Sequence, residues 1–255
     1  MLGAIVGDVI GSVYEWVGIK SKDFPLFVPG TTFTDDSVLT VAVAKWILDG
    51  GDLKQVLCEY TRAYPDRGYG GMFHDWVESS ARRPYNSYGN GSAMRVSPVG
   101  FAFETMEDVM LWAERSAVVT HDHPEGVRGA QATAAAIFCA RQRLDKEAIK
   151  DFVEAHFGYD LSPTLDQIRP TYQFDVTCQG TVPPALISFL ESTDFEDAIR
   201  NAISLGGDAD TLACITGGIA EAYYGGVPDG LATPARALLD DRLAAVVDRF
   251  QARFG

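Results

Sequence analysis

The chain has 255 residues, 47% of them hydrophobic and 22% charged, with a formal net charge of −14. That length can bury a sizeable core, and the composition is that of an ordinary globular protein. The acidic balance excludes general gripping of nucleic-acid phosphates, yet leaves room for a small phosphorylated ligand held by backbone amides.

Residues 2–17 read as the first helix, with Gly3, Gly7 and Gly11 at four-residue spacing. Such a ridge of small residues predicts close packing against another helix. Asp8 interrupts the apolar run and no basic segment precedes it, so the stretch does not read as a signal peptide. Asp8 and Glu15 are seven positions apart and would point roughly the same way. Glu15 neighbours Trp16, where desolvation would raise its pKa toward that of a working acid or base. The plainer alternative is that Glu15 only ends the helix at the surface.

After a Pro- and Gly-containing loop at 20–33, Thr34-Asp35-Asp36-Ser37 opens an apolar helix at 35–49. Helical patterns follow at 52–63, with Asp52 as cap, and at 70–80. The loop at 84–100 contains Tyr85-Asn86-Ser87-Tyr88-Gly89-Asn90-Gly91-Ser92-Ala93-Met94-Arg95. Two glycines flanking Asn can turn several amides toward one anion, with Tyr85 and Tyr88 as flat walls for a base or ribose. It lacks the lysine of a phosphate-binding P-loop, and a surface turn remains the alternative.

A helix at 105–119 leads into Thr120-His121-Asp122-His123, where one imidazole is expected to meet a ligand and the other to be exposed. No third His or Cys completes a zinc set with them, and His74 and His156 read as surface residues. Helices are predicted at 125–143, at 145–156 behind Asp145, and at 183–191. Residues 158–184 read as loop, with a short strand-like alternation at 172–177. Thr193 with Glu196 has capping-box spacing for a helix at 194–205, which Gly206 stops. Gly206-Gly207-Asp208-Ala209-Asp210-Thr211 then opens an apolar helix at 210–224, and a last helix is predicted at 233–252.

The two acidic clusters share one design: a carboxylate pair and a Thr hydroxyl at the mouth of a buried helix. Asp and Thr are also common helix caps. A cap needs one acceptor, however, and each cluster supplies two carboxylates and a hydroxyl. If the clusters converge, their mutual repulsion requires a cation, and hard oxygen ligands suit magnesium, manganese or calcium over zinc.

Cys58, Cys139, Cys178 and Cys214 are scattered and fit neither a zinc spacing nor a disulfide framework, which points to a reducing, cytoplasmic setting. No apolar run is long enough to cross a membrane. A single all-α domain over 1–255 is expected, as a monomer.

In order, Gly7–Glu15, Thr34–Ser37, Tyr88–Arg95, Thr120-His121 and Gly206–Thr211 resemble the motifs of the ADP-ribosylglycohydrolase family, over nearly the whole chain. The resemblance implies a compact, orthogonal all-α bundle with two magnesium or manganese ions in a cleft. It implies metal ligation by Thr34, Asp35, Asp36, Asp208, Asp210 and Thr211. Ser87, Tyr88, Gly89, Asn90, Gly91, Ser92 and His121 would hold ADP-ribose, and Glu15 or Asp36 would be the general base. Ser37 and Ala209 stand where the family commonly has Thr; neither change removes a carboxylate.

The implied activity is metal-dependent cleavage at C1″ of ADP-ribose, releasing it from a protein side chain or small acceptor. The acceptor would be read by the loops at 18–33 and 64–75. The alternatives are a non-catalytic, crystallin-like ADP-ribose-binding protein on the same fold, disfavoured by the acidic sextet, and another metallohydrolase acting on phosphorylated nucleosides.

Overall fold

A helix that is apolar on every side is stable only inside a protein, and the computed structural model, which describes residues 1–255, has fifteen helices and no strand arranged around two of that kind. In chain order the first are α1 (Leu2–Gly11), α2 (Asp35–Asp49), α3 (Leu53–Ala63), α4 (Gly71–Glu78), α5 (Gly91–Met94) and α6 (Ser97–Ala102). Next come α7 (Met106–Ala117), α8 (Pro124–Arg141), α9 (Lys146–Phe157), α10 (Leu165–Ile168) and α11 (Cys178–Leu190). α12 (Phe195–Ile203), α13 (Ala209–Tyr224), α14 (Asp229–Arg236) and α15 (Asp241–Phe254) complete the chain.

Every residue of α1 is buried, as is every residue of α13 from Ala209 to Ala220. These two helices lie along each other at the centre, with α2, α8, α11 and α12 packed around them. The glycine ridge sets their spacing. A methyl group on Gly7 would fall 2.0 Å from the Ala213 carbonyl oxygen, and one on Gly11 would fall 2.5 Å from Asp210 Cα. Outer helices are amphipathic instead: α12 buries Phe195, Ala198, Ile199, Ala202 and Ile203 and turns Glu196 and Arg200 outward. All the buried apolar side chains form one continuous core.

The all-α expectation holds, and most elements differ from it only at their ends. Asp52 and Asp145 cap α3 and α9 through the amides of Lys54 (3.0 Å) and Ala148 (2.9 Å). Gly206 takes the left-handed φ of +68° after α12.

The first helix ends at Gly11, not 17. Ser12 bonds back to Val9 O (2.9 Å) and receives the Thr32 amide (3.2 Å), and the chain continues in tight turns, Tyr14 N to Gly11 O and Val17 N to Tyr14 O. Glu15 therefore sits on a turn and not two helical turns above Asp8.

α11 begins at Cys178, five residues earlier than the predicted start at Pro183, capped by Thr177 through the Gly180 amide (3.0 Å). Pro184 cannot donate to the Gly180 carbonyl, and the Tyr172 hydroxyl takes that acceptor at 2.9 Å. The alternating segment at 172–177 forms no strand, only one bridge from Thr177 to Gly89.

The predicted 233–252 helix divides into α14 and α15, because Asp240 caps a new start at the Leu243 amide (2.9 Å) while accepting from the Tyr64 hydroxyl. For α12 the cap is Asp194, bonded to the Asp197 amide at 2.8 Å, and it is Asp197 that receives the Thr193 amide, so the Thr193–Glu196 box is not formed. The two long loops hide α5, α6 and α10, too short to show a helical period.

Candidate metal centre and ligand cleft

The α1–α13 seam and the start of α2 converge on a cavity of about 590 Å³, a size that suits a ligand of nucleotide scale. Its lining brings together Asp35, Asp36, Asp208, Asp210 and Thr211 from the two acidic clusters, together with Glu15. One carboxylate oxygen from each of Asp8, Asp36 and Asp210 lies within 4.8 Å of the other two, and the same holds for Glu15, Asp208 and Asp210. Asp210 belongs to both groups.

Local backbone features aim these groups. Gly206 and Gly207 adopt φ of +68° and +85°, which turns the chain sharply out of α12 and sets Asp208 as the residue before α13. Thr34 precedes α2, its hydroxyl donating to Asp8 Oδ1 at 2.6 Å and lying 3.4 Å from Asp36 Oδ2. Asp8 also accepts the amides of Thr34 and Ser37 at 3.0 Å each, and the Ser37 hydroxyl. A buried carboxylate on α1 thereby fixes the mouth of α2. Thr211 donates to Asp36 Oδ2 at 3.3 Å.

Burial pushes the Asp36 and Asp210 carboxyls well above the ordinary range, and neighbouring carboxylates push them further. Asp35, whose side chain is partly open to the cleft, is raised in the same way by burial and then by Asp8 and Asp208. Asp8 and Asp208 are raised by burial against the opposing pull of their hydrogen bonds. Glu15, half-buried, is pushed up to about 7, by burial first and then by the charge of Asp208.

The residues fit a hard divalent cation. Asp36 Oδ1 is buried without any hydrogen-bond partner, a costly state for a carboxylate oxygen unless a cation meets it. The donors facing the crowded oxygens are carboxylates and hydroxyls, while the nearby Cys214 thiol points to Met94 O instead.

The opposite wall is the Ser87–Ser92 loop with His121. Two of its amides are committed internally, Gly89 N to Ser87 Oγ (3.1 Å) and Asn90 N to Val176 O (2.7 Å). The Gly91 and Ser92 amides donate to no group outside α5. The expected cradle of amides is thus narrower than the sequence suggested. Ser92 Oγ is fully buried and donates to Gly126 O (2.7 Å). Asn90 does not face an anion: its side-chain amide donates to Asp208 Oδ2 (2.7 Å) and Thr181 Oγ1 (3.1 Å), tying the two walls together.

Neither Gly89 nor Gly91 has a positive φ. A methyl on Gly91 would stand 3.3 Å from His121 Nε2, and one on Gly89 would stand 3.2 Å from Ser87 Oγ. His121 is buried and lines the cavity, whereas His123 caps α8 through the Glu125 amide at 3.1 Å. Tyr85 lines the cavity; the Tyr88 ring turns away from it onto His123.

Of the six cluster residues, Asp35, Asp36, Asp208, Asp210 and Thr211 line the cavity, whereas Thr34 does not and gives its hydroxyl to Asp8. Sequence reasoning missed Asp8 as the organiser of the site and Arg95 as part of the lining. Asp8 stands out in sequence only as the lone charge of an apolar run, and Arg95 lies in a polar loop with nothing local to mark it. Gly68, Gly70, Gly71, Met72 and Phe73 line the cavity, but nothing from 18–33 does. Trp16 (78% exposed) and Phe174 stack at 4.8 Å on the rim, a pairing no sequence pattern signalled.

Comparison with known proteins agrees with this architecture. The family model described as ADP-ribosylglycohydrolase matches residues 1–255. The chain is 28% identical to ADP-ribosylhydrolase ARH3 of Homo sapiens, over 88% of this chain and 84% of that protein. It is 25% identical to the ADP-ribosyl-[dinitrogen reductase] glycohydrolase of Rhodospirillum rubrum, over 100% of this chain and 95% of that one. A solved structure titled ADP-ribosylglycohydrolase-related protein complex superposes with a TM-score of 0.74 at 26% identity, covering 100% of this chain and 97% of its own.

Proposed function

The chain belongs to the ADP-ribosylglycohydrolase family, and from that premise we propose that it hydrolyses the bond at C1″ of ADP-ribose in a modified protein side chain or small acceptor, with divalent cations held by the acidic wall. The observation that carries this reading is Asp210, shared between two oxygen triads beside an Asp36 oxygen that no protein group satisfies. Two triads with one common carboxylate suit two magnesium or manganese ions, with Asp35, Thr34 and Thr211 completing their surroundings. Cations bound there would supply Lewis acidity to the substrate's ribose hydroxyls and to water.

The protein's own groups do the rest. Glu15, with its pKa near neutrality, accepts the proton of the attacking water while the C1″–acceptor bond breaks, and the departing acceptor then takes up that proton; Asp36 is the second candidate. Gly91 and His121 hold the diphosphate end, which lets an acidic protein bind an anion. Asn90 keeps that end in register with Asp208. Met72, Trp16 and Phe174 line the rim where an acceptor would lie.

Turnover of defined ADP-ribose linkages, to arginine, serine, a nucleic-acid end or an O-acetyl ester, tests the proposal with magnesium, manganese or chelator present. Release of ADP-ribose from at least one linkage, abolished by chelator, is expected. Metal-independent release, or none from any linkage with both metals present, contradicts it.

A further inference from the structure

Arg95 is the largest fully buried side chain in the protein and the one cationic residue lining the cavity. No carboxylate pairs with it. One terminal nitrogen, Nη2, donates to Ser116 O (2.6 Å) and Thr120 Oγ1 (2.9 Å), while Nε and Nη1 have no partner. A buried, unpaired guanidinium is costly, and neither metal binding nor proton transfer uses it.

The Thr120 hydroxyl lies 2.7 Å from His121 Nδ1 and 3.5 Å from Ala117 O. Ala117 O already accepts two amides, from Thr120 (3.1 Å) and His121 (2.8 Å). A carbonyl oxygen has two lone pairs, so the hydroxyl proton has one acceptor left, His121 Nδ1. Arg95, donating to the same hydroxyl oxygen, polarises it further in that direction. Nδ1 then accepts, and the ring proton of neutral imidazole sits on Nε2. That nitrogen has no protein partner and faces the Gly89–Gly91 strip of the cleft. Burial and the nearby Arg95 charge both hold the imidazole well below its ordinary pKa, so it stays neutral.

We propose that Arg95 and Thr120 are positioning residues, which fix His121 as the Nε2–H tautomer so that it donates a hydrogen bond to a phosphate oxygen of the bound ligand. The inference rests on the reading of this cleft as an ADP-ribose site. Its first half, the tautomer, stands apart from that reading. The unpaired positive charge of Arg95 beneath the loop also opposes the acidic wall. The cleft is bipolar, and a ligand with a diphosphate end and a ribose end enters it one way round.

The test combines ¹⁵N-histidine NMR of the full chain with ADP-ribose titration by calorimetry. Two-bond ¹H–¹⁵N correlations, assigned by comparison with His121→Gln, should show wild-type His121 in the Nε2–H form. Thr120→Val should move it toward Nδ1–H and weaken ADP-ribose binding about tenfold, with the manganese-induced gain in melting temperature unchanged. Thr120→Ser should restore both. An Nδ1–H tautomer in the wild type overturns the proposal even if ADP-ribose binds. Wild-type affinity in Thr120→Val overturns it as well. Failure of the wild type to bind ADP-ribose, with the Nε2–H tautomer in place, removes the ligand and the functional reading but not the relay. Thr120 is the chosen position because Thr→Val preserves shape; Arg95→Met is the harsher second variant, expected to free the hydroxyl and give a mixture of tautomers.

Discussion

Across the cleft, the acidic wall leaves carboxylate oxygens crowded and short of partners, whereas the loop wall spends most of its polar atoms on itself. Asp36 Oδ1 is unsatisfied and Asp210 is pressed by four neighbours, Asp36, Asp208, Glu15 and Asp8. Opposite, Ser87, Ser92, Asn90 and two amides are all occupied within the protein. One wall stores repulsion that a bound cation would relieve; the other is a rigid frame that exposes only a few donors. Mutations should therefore behave differently on the two sides, with acidic-wall changes acting on metal and turnover and loop-wall changes on ligand affinity.

The largest effect is expected from Asp210→Asn. Because both triads use this residue, turnover should fall at least about a thousandfold, and the gain in melting temperature on adding manganese should vanish. The metal-free variant should be as stable as wild type or more so, since one buried like charge is gone. Normal metal stabilisation in this variant, measured by differential scanning fluorimetry, would erase the distinction between the walls.

Glu15→Gln should come next, lowering kcat roughly a hundredfold with little change in KM, the scale of a lost general base. Steady-state kinetics that match wild type would shift that role to Asp36.

Gly91→Val sharpens the contrast from the other side. Its side chain would press the His121 ring, so ADP-ribose affinity should drop about tenfold or more while metal stabilisation stays intact. Calorimetry and melting curves on the same sample decide it.

The smallest effect is in pH dependence. Asp36, Asp210 and Glu15 have raised pKa values in the fold. The metal-free folded chain therefore holds protons that the unfolded chain has released, and its stability declines as pH rises from about 4, the ordinary carboxylate value. For Glu15 this decline continues to about 7. Cations bind the deprotonated form, so the magnesium-induced rise in melting temperature should grow between pH 5 and 7.5. A flat or falling profile would contradict the crowding on the acidic wall.

The two walls also differ in how far the sequence disclosed them. Paired carboxylates leading into apolar helices are unusual enough that Asp36, Asp208 and Asp210 were identifiable as a set before their convergence was visible. Helix periodicity likewise located α2, α7, α9 and α13 closely, because long buried or amphipathic stretches leave a strong pattern. The loop wall was legible only as composition. Nothing local says that Asn90 reaches Asp208 or that Tyr88 turns outward to His123; those directions come from the Thr177–Gly89 bridge and the Cys178 amide bonding Tyr88 O. Asp8 escaped for a different cause: its partners Thr34 and Ser37 are remote in sequence, and only the fold brings them to it.

The glycine ridge of α1 sets how far apart two of the acidic-wall carboxylates stand. Asp8 and Asp210 ride on two helices whose separation is fixed by backbone meeting backbone, at Gly7 against Ala213 and Gly11 against Asp210. Side chains can shift to suit a guest; touching backbones act like a gauge block. The gap between these carboxylates is thus set by residues that carry no charge. If the site holds a cation as proposed, a methyl added at Gly11 would press on the Asp210 backbone and widen that gap, and calorimetry should show calcium gaining on magnesium.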